Sequence, residues 1–314
     1  WVYVGDGLGS YAGGKRASKT AGEALLAIAK KGGMLSKEKL TEAAAELLRA
    51  DGERVRAAMD TLLDLGTLVS HRFGGCDLIY DREVDRQEKY IADKLILLDK
   101  LCPAVDAGDV NAFITREERE QGMSYAREQK QAIMEALSGG VMLLTGGPGT
   151  GKTTVVHALL HIFRSMDMSV ALCAPTGRAA KRLSESTSTE AKTIHRLLEM
   201  EFEEGGGHGR FRRDEQDLLE ESVIIVDEAS MVDNLLMSAL LHAVKPGARV
   251  ILIGDAEQLP SVGAGNVLSD LIECGAFPTV RLTEIFRQSE ASLIVTNSHA
   301  INEGRFPDIT KKDS

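Results

Sequence analysis

The stretch TGGPGTGKTT, residues 145–154, constrains this chain more than any other part of its sequence. It contains the pattern Gly-x-x-x-x-Gly-Lys-Thr, and it follows directly on the apolar run 141–144. A loop of this kind leaves a buried strand, turns its backbone N–H groups around a polyphosphate, and leads into a helix whose positive end faces the anion. The alternative is a chance Gly-rich turn. The predicted strand before the loop and the apolar helix after it argue against that alternative. The sequence therefore predicts a nucleotide-binding loop.

Two side chains of this loop have predicted chemical roles. Lys152 is expected to reach the β- and γ-phosphates, and the hydroxyl of Thr153 is expected to bind Mg²⁺. ATP and Mg²⁺ are thus the predicted cofactors. The loop residues expected to hold the nucleotide are Gly147, Pro148, Gly149, Thr150, Gly151, Lys152, Thr153 and Thr154.

Two further strands are predicted to end in polar residues at the same crevice. The apolar run 223–226 ends in Asp227 and Glu228, and ligands bind at the carboxyl ends of parallel strands. We expect Asp227 to hold Mg²⁺ and Glu228 to act as general base toward the attacking water. Gln258, after the next apolar run, is expected to sense the γ-phosphate. Acidic strand ends and polar turns are common in proteins, but they are the weaker interpretation beside an intact phosphate loop.

Composition narrows the class of protein. The chain has 314 residues, of which 43% are hydrophobic and 27% charged, as in ordinary soluble proteins. The sequence has no apolar run near the roughly 20 residues of a membrane span. The four cysteines lie far apart without a C-x-x-C pair, which argues against zinc or a disulfide framework and fits the cytoplasm. A net charge of −10 argues weakly against nucleic-acid binding, although local positive charge in a groove would suffice.

The N-terminal region carries weaker signals. Residues 1–19 are Gly-rich and basic and resemble the end of a helix-hairpin-helix element, or else they form a fraying terminus. Residues 20–81 predict three helices and a hairpin, which is the winged-helix arrangement. The third helix is acidic, so a protein-packing module is favoured over a DNA reader. Residues 82–118 are expected to form a connecting helix followed by a linker.

From residue 119 onward strands and helices alternate, which predicts an α/β fold with a parallel sheet wrapped by helices. The predicted strands are 141–145, 169–174, 222–227, 249–254 and 279–282.

Six blocks carry a family resemblance: GGPGTGKTT, APTGRAAKRL (174–183), TIHRLL (193–198), IIVDEASMVD (224–233), GDAEQLPSVGAGNVLSDLI (254–272) and IFRQ (285–288). They follow one another as in superfamily 1 DNA helicases, and the chain most resembles the RecD/TraA branch, the RecD-like exodeoxyribonuclease V alpha-subunit family. The resemblance implies a RecA-like P-loop NTPase domain over 119–306, preceded by a mainly helical winged-helix-like domain.

The resemblance also implies roles for single residues. Gln129 matches the glutamine that reads the adenine edge, although a solvated helix residue is the alternative. Arg287 matches the arginine that meets the γ-phosphate from the far side of the cleft. A hairpin over 199–216 matches the position of the pin that splits duplex DNA, although we favour an ordinary surface loop there. The residues implied to contact single-stranded DNA are Pro175, Thr176, Arg178, Thr193 and His195.

The function implied by the resemblance is that of an ATP-dependent, 5′-to-3′ DNA helicase. It would act as a monomer on single-stranded DNA and single/double-strand junctions, in DNA repair and recombination, with nuclease-complex subunits left open as partners. No later helicase motif follows Arg287, so residues 307–314 would begin a second motor domain and the chain is expected to be an inactive fragment by itself. The helicase part of a conjugative relaxase, or a nucleotide-gated DNA-binding module that does not translocate, are the alternatives.

Overall fold

The structure of the chain, a computed structural model, describes residue 25, residues 35–201 and 209–284, and residues 297, 301 and 304–306. The predictions for residues 1–19, for most of the first winged-helix helix, for Arg287 and for residues 307–314 lie outside the described residues. The chain divides into two compact units at Lys89 and Tyr90, with Gly263–Gly265 assigned to the first unit.

The first unit contains two capped helices and a small antiparallel sheet. In chain order its elements are β1 (Leu35–Ser36), α1 (Lys37–Leu48), α2 (Gly52–Asp64), β2 (Leu68–Phe73) and β3 (Cys76–Asp81). The side chains of Ser36 and Asp51 cap α1 and α2 by accepting hydrogen bonds from backbone N–H groups. The strand order is β1-β3-β2, so the predicted hairpin gains a short third strand. Gly74 and Gly75 have φ values of 58° and 85°, which suits a two-residue hairpin turn.

Three helices precede the large sheet: α3 (Arg82–Leu101), α4 (Ala107–Gln121) and α5 (Arg127–Ser138). The predicted linker within 82–118 is wrong from residue 107 onward, because that stretch is helical. Asp106 caps α4 by accepting a hydrogen bond from the Gly108 N–H at 2.8 Å. Val110 and Ile114 lie four residues apart and are both buried in the core. Their spacing was the helical signal that the nearby proline and glycine obscured.

The second unit is built on a six-stranded sheet, and all of its strand pairs are parallel. The strands from residue 141 onward are β4 (Val141–Gly146), β5 (Val170–Ala174), β6 (Ala191–Thr193), β7 (Met200–Glu201), β8 (Arg210–Phe211), β9 (Val223–Val226), β10 (Arg249–Gly254) and β11 (Thr279–Leu282). The sheet order is β11-β4-β10-β9-β5-β6, while β7 and β8 form a separate antiparallel pair. The five predicted strands are confirmed, and β6 is an addition, too short to give a periodic signal.

Helices cover both faces of this sheet. They include α6 (Lys152–Ser165), α7 (Gly177–Thr187), α8 (Ile194–Leu197), α9 (Asn234–Ala243) and α10 (Val267–Cys274), with a 3₁₀ turn at Ala229–Met231. Along β4, Val141 and Leu143 pack into one apolar layer while Met142 and Leu144 pack into the other. Burial on both faces explains why such strands are continuous apolar runs in the sequence. The predicted α/β, RecA-like P-loop fold is confirmed.

Helix α3 fixes the start of the strand that delivers the phosphate loop. A carboxylate oxygen of Asp99 accepts hydrogen bonds from the N–H groups of Gly140 and Val141, at 3.0 and 3.1 Å. A Cβ at position 140 would overlap the carbonyl oxygen of Leu98, so only glycine allows this close approach. Within the described ranges, none of the helices combines the length and apolar character needed to cross a bilayer.

Candidate nucleotide site and strand-contact residues

The phosphate loop has a shape that its glycines make possible. Gly149 and Gly151 have φ values of 78° and 87°, in the left-handed region that side chains disfavour. At Gly146 a Cβ would lie 2.7 Å from the hydroxyl of Thr150 and 2.8 Å from the carbonyl oxygen of Leu282. The start of the loop therefore packs closely against the edge strand β11, and the loop leads into the N-terminus of α6.

Lys152 is the first residue of α6 and lies half-buried at the bottom of this loop. Its ammonium donates hydrogen bonds to the carbonyl oxygens of Gly146 and Gly147, the latter at 3.0 Å. Burial lowers the pKa of Lys152, and the charges of Asp255, Glu228 and Asp227 oppose that shift. The structure thus brings the predicted lysine together with the predicted carboxylate pair, and adds a third carboxylate.

Asp227 and Glu228 follow β9, which pairs with β10 on one side and β5 on the other. Burial raises the pKa of Asp227, and the charges of Lys152 and Arg182 oppose this. Burial raises the pKa of Glu228, and the negative charge of Asp227 raises it further. A carboxylate with a raised pKa accepts a proton more readily, which is the property a general base needs.

The backbone at Glu228 is unusual for a residue with a side chain. Its φ and ψ are 53° and 40°, in the left-handed region, and a 3₁₀ turn begins directly after it. The Met231 N–H donates to the carbonyl oxygen of Glu228 at 3.0 Å. Strained backbone of this kind persists where surrounding contacts enforce it, and it clusters at functional sites.

Gln258 lies on the exposed loop after β10, and its amide donates to a carboxylate oxygen of Asp255 at 3.4 Å. Asp255 itself is buried and accepts a hydrogen bond from the Glu257 N–H. The sequence pattern gave no role to Asp255, although its place directly after an apolar strand was the available signal. Arg182 on α7 was not predicted either. Its charge acts on Lys152 and on both carboxylates, and spacing along the chain gave no sign of this proximity.

Gln129 lies on α5 and is buried, with 2% of its surface exposed. Its side-chain oxygen accepts a hydrogen bond from the Ala126 N–H at 3.0 Å, which fixes the amide at the start of the helix. The alternative of a solvated helix residue is therefore wrong. Contact with an adenine edge stays a prediction.

The residues predicted to contact single-stranded DNA lie at and after the ends of β5 and β6. Ala174 pairs with Thr193 in the sheet, so Pro175 and Thr176 leave the sheet beside that residue. Thr176 caps α7 and Thr193 caps α8, each hydroxyl accepting a backbone N–H at 3.2 and 3.1 Å. A hydroxyl that accepts in this way can still donate its own proton to a phosphate oxygen.

Arg178 and His195 flank these two caps. Arg178 is exposed on α7. His195 is half-buried on α8, and its ring centroid lies 5.8 Å from that of Phe211 on β8.

The base of the predicted 199–216 hairpin is formed by β7 and β8, with Met200 opposite Phe211. Its tip, residues 202–208, lies outside the described residues. A role as a duplex-splitting pin stays a prediction.

The proposed metal ligands have suitable chemistry. Asp227 and Thr153 offer oxygen atoms, which Mg²⁺ prefers, and protein sites for this ion often supply only one or two ligands beside phosphates and water. In the part of the chain that the structure describes, no group of three or more His, Cys, Asp or Glu side chains could hold a metal by itself. The two oxygen donors of Asp227 and Thr153 suit Mg²⁺ that also binds phosphates and water.

The family described as "AAA domain" matches residues 124–313. The chain belongs to the AAA domain family. This membership implies nucleotide binding with a divalent metal, which agrees with the phosphate loop and carboxylates described above.

Curated relatives extend the comparison. The chain is 38% identical over 264 residues to the "ATP-dependent RecD2 DNA helicase" of Deinococcus radiodurans, covering 81% of this chain and 35% of that protein. It is 42% identical over 229 residues to "RecBCD enzyme subunit RecD" of Mycobacterium tuberculosis, covering 65% of this chain and 37% of the relative. The chain therefore spans little more than a third of these relatives. The predicted resemblance of the first motor domain to RecD-like superfamily 1 helicases is confirmed.

Among solved structures, the Pif1 helicase from Candida albicans is similar with a TM-score of 0.45 and 25% identity. The likeness covers 59% of this chain and 46% of that one.

Proposed function

We propose that this AAA domain hydrolyses ATP as the first motor domain of a RecD-like DNA helicase. The observation that carries the proposal is the position of Lys152, within electrostatic range of Asp227, Glu228 and Asp255 at the carboxyl edge of the sheet. A phosphate-binding lysine beside two strand-end carboxylates is the arrangement that nucleotide hydrolysis requires. Two relatives support the same class of activity. One is named as an ATP-dependent RecD2 DNA helicase and the other as the RecD subunit of the RecBCD enzyme.

Each residue has a defined part in the proposed reaction. The loop N–H groups and Lys152 bind and orient the phosphates of ATP. Asp227 and the Thr153 hydroxyl would hold Mg²⁺, which neutralises charge on the phosphate oxygens when bound. Glu228 accepts the proton of the attacking water, aided by the raised pKa of its carboxyl group. We assign Arg287 to the γ-phosphate from the far side of the cleft, as the family pattern implies.

The proposed track for DNA starts next to this site. Thr176 and Thr193 present their hydroxyls at neighbouring strand ends, with Arg178 exposed beside them. We propose that these groups, with Pro175 and His195, hold the phosphates of single-stranded DNA, and that the whole protein moves 5′-to-3′ and opens duplexes at junctions. We further propose that it works as a monomer in the cytoplasm, where its four free cysteines would stay reduced.

The test is ATP turnover by Glu228→Gln in a protein that carries this chain with its natural flanking sequence. The substitution keeps the shape of the side chain and removes the base, so turnover should fall by about 10²–10⁴-fold while nucleotide affinity is retained. Glu190→Gln, at an exposed position, is the matched control and should behave as wild type. Turnover near the wild-type rate in Glu228→Gln would remove this residue from its role. Nucleotide and DNA binding without any turnover in the wild type would favour the nucleotide-gated binding module instead.

A further inference from the structure

Gly254, the last residue of β10, faces the turn that carries Glu228. A Cβ built at position 254 would lie 3.0 Å from the backbone nitrogen of Ser230 and 3.3 Å from that of Ala229. It would also lie 2.6 Å from Cδ2 of Leu268, the far end of a flexible side chain. The strand end and the turn are therefore in contact through backbone atoms, and a side chain at 254 would press on the turn.

The turn that begins at Glu228 has a backbone conformation that needs support from outside the turn. Glu228 adopts a left-handed conformation that L-residues disfavour for steric reasons. Among the described residues, two backbone hydrogen bonds lie within the turn: Met231 N–H to the Glu228 carbonyl at 3.0 Å, and Val232 N–H to the Ala229 carbonyl at 3.1 Å. Contacts from outside the turn must then hold its backbone conformation, and the end of β10 supplies one of them.

We propose that Gly254 is a positioning residue for Glu228: because position 254 has no side chain, the 228–231 turn seats against β10 and the Glu228 carboxylate is held in the nucleotide site. The inference rests on the proposed function, in which Glu228 is the general base. The same strand end continues into Asp255 and Gln258, so Gly254 lies between the turn of Glu228 and the loop that carries these two residues.

The expected size of the effect follows from geometry. A Cβ at 254 can displace the tip of Leu268 easily, but it must also push the Ser230 backbone by a few tenths of an ångström. Catalytic groups need placement within about 0.5 Å. A displacement of 1 Å can reduce the rate by about 10²-fold. A tenfold or greater loss of kcat is therefore expected from Gly254→Ala, with little change in KM.

The experiment compares four variants of the protein with its natural flanking sequence: Gly254→Ala, Leu268→Val, the double variant, and Gly52→Ala. Leu268→Val removes the overlapping Cδ2 atom and keeps most of the side chain, so the double variant should fold even if Gly254→Ala does not. Gly52→Ala is the matched control, since a Cβ there would meet no atom within 4 Å. The two readouts are kcat against KM for ATP, and hydrogen exchange at the Met231 and Val232 amides.

We expect Gly254→Ala and the double variant to lose kcat at least tenfold and to exchange faster at Met231 and Val232. Leu268→Val and Gly52→Ala should keep both properties. Full recovery of kcat in the double variant would show that Leu268 packing, and not the turn, was at fault, and it would overturn the proposal. Wild-type exchange and kcat in Gly254→Ala would also overturn it. If the wild type itself hydrolyses no ATP, the proposed function fails, and the exchange readout still decides whether Gly254 supports the turn.

Discussion

The backbone N–H of Asp227 donates a hydrogen bond to the carbonyl oxygen of Cys173, with 2.9 Å between nitrogen and oxygen. The bond extends the pairing of β9 with β5 by one residue beyond the end of β9. It ties the predicted metal ligand to the strand that leads, through Pro175, into Thr176. The nucleotide end and the proposed DNA end of the motor domain are thus joined by main-chain bonding, which side-chain substitutions leave in place.

Replacing Lys152 with alanine should abolish nucleotide binding by the chain. The ammonium is the one charged donor of the phosphate loop, and it lies at the base of that loop. Isothermal calorimetry with ATP and Mg²⁺ measures the change. Lys130→Ala, which removes an ion pair with Glu118 at 2.8 Å, is the control and should bind as wild type. Equal affinity in Lys152→Ala and wild type would show that the loop does not hold the phosphates.

Replacing Arg178 with glutamine should weaken binding of single-stranded DNA and reduce its salt dependence. One lost phosphate contact lowers the slope of log affinity against log salt by about 0.7 for a single strand. Fluorescence anisotropy with a labelled oligonucleotide over a range of salt concentrations gives this slope. Arg116→Gln, which removes an exposed arginine paired with Glu120, should leave the slope unchanged. A slope that stays constant in Arg178→Gln would exclude this arginine from the track.

Replacing Arg249 with methionine should destabilise the second unit. Arg249 is 2% exposed, and its guanidinium donates to the carbonyl oxygens of Pro103 and Leu137, at 2.5 and 3.1 Å. Hydrogen bonds to charged groups contribute about 1.5–3 kcal/mol each, so losing both should lower the free energy of unfolding. Urea denaturation should show this loss, while Arg281→Met, which breaks an exposed ion pair, should cost less than about 1 kcal/mol. Equal stability of the two variants would contradict the role of Arg249.

Replacing Asp85 with asparagine should change how the first unit responds to acid. Burial alone would raise the pKa of Asp85, but hydrogen bonds from Lys89 and His71, at 2.8 and 2.7 Å, outweigh burial and lower it. A folded pKa below the unfolded value of about 3.9 stabilises the fold above that pH, and the contribution is lost as pH falls through the folded pKa. Asp85→Asn should therefore melt at a lower temperature at pH 7 and differ less from wild type near pH 2. Asp77→Asn, at an exposed pair 4.0 Å from Arg72, is the control. A constant difference across this pH range would refute the assignment.

Replacing Ser230 with alanine should leave stability unchanged or slightly increased. Its hydroxyl oxygen is buried and has no hydrogen-bond partner among the described residues, so its removal relieves an unsatisfied polar group. Ser184→Ala is the opposite case, since that hydroxyl donates to Ala180 and accepts from Ala191 at 3.0 and 2.8 Å. Thermal melts should place Ser184→Ala below wild type and Ser230→Ala at or above it. A large loss in Ser230→Ala would reveal a partner for the hydroxyl.

Local patterns in the sequence were enough to predict the phosphate loop, five of the six sheet strands and the pair Asp227 and Glu228. Each rests on a short-range rule: glycines where the backbone must turn left-handed, and continuous apolar runs where a parallel strand is buried on both faces. The caps at Ser36 and Asp51 are local in the same way, because a cap and its N–H donor lie two or three residues apart.

Only the tertiary structure decided which side chains surround Lys152. The sequence alone determined that a phosphate loop and a strand-end carboxylate pair exist. It did not reveal that Asp255 and Arg182 lie within electrostatic range of them, or that Gly254 supports the turn of Glu228. These neighbours come from different strands and helices, and they meet because β10 lies between β4 and β9. Strand order depends on long-range pairing and on how helices pack across the sheet, which no local periodicity encodes.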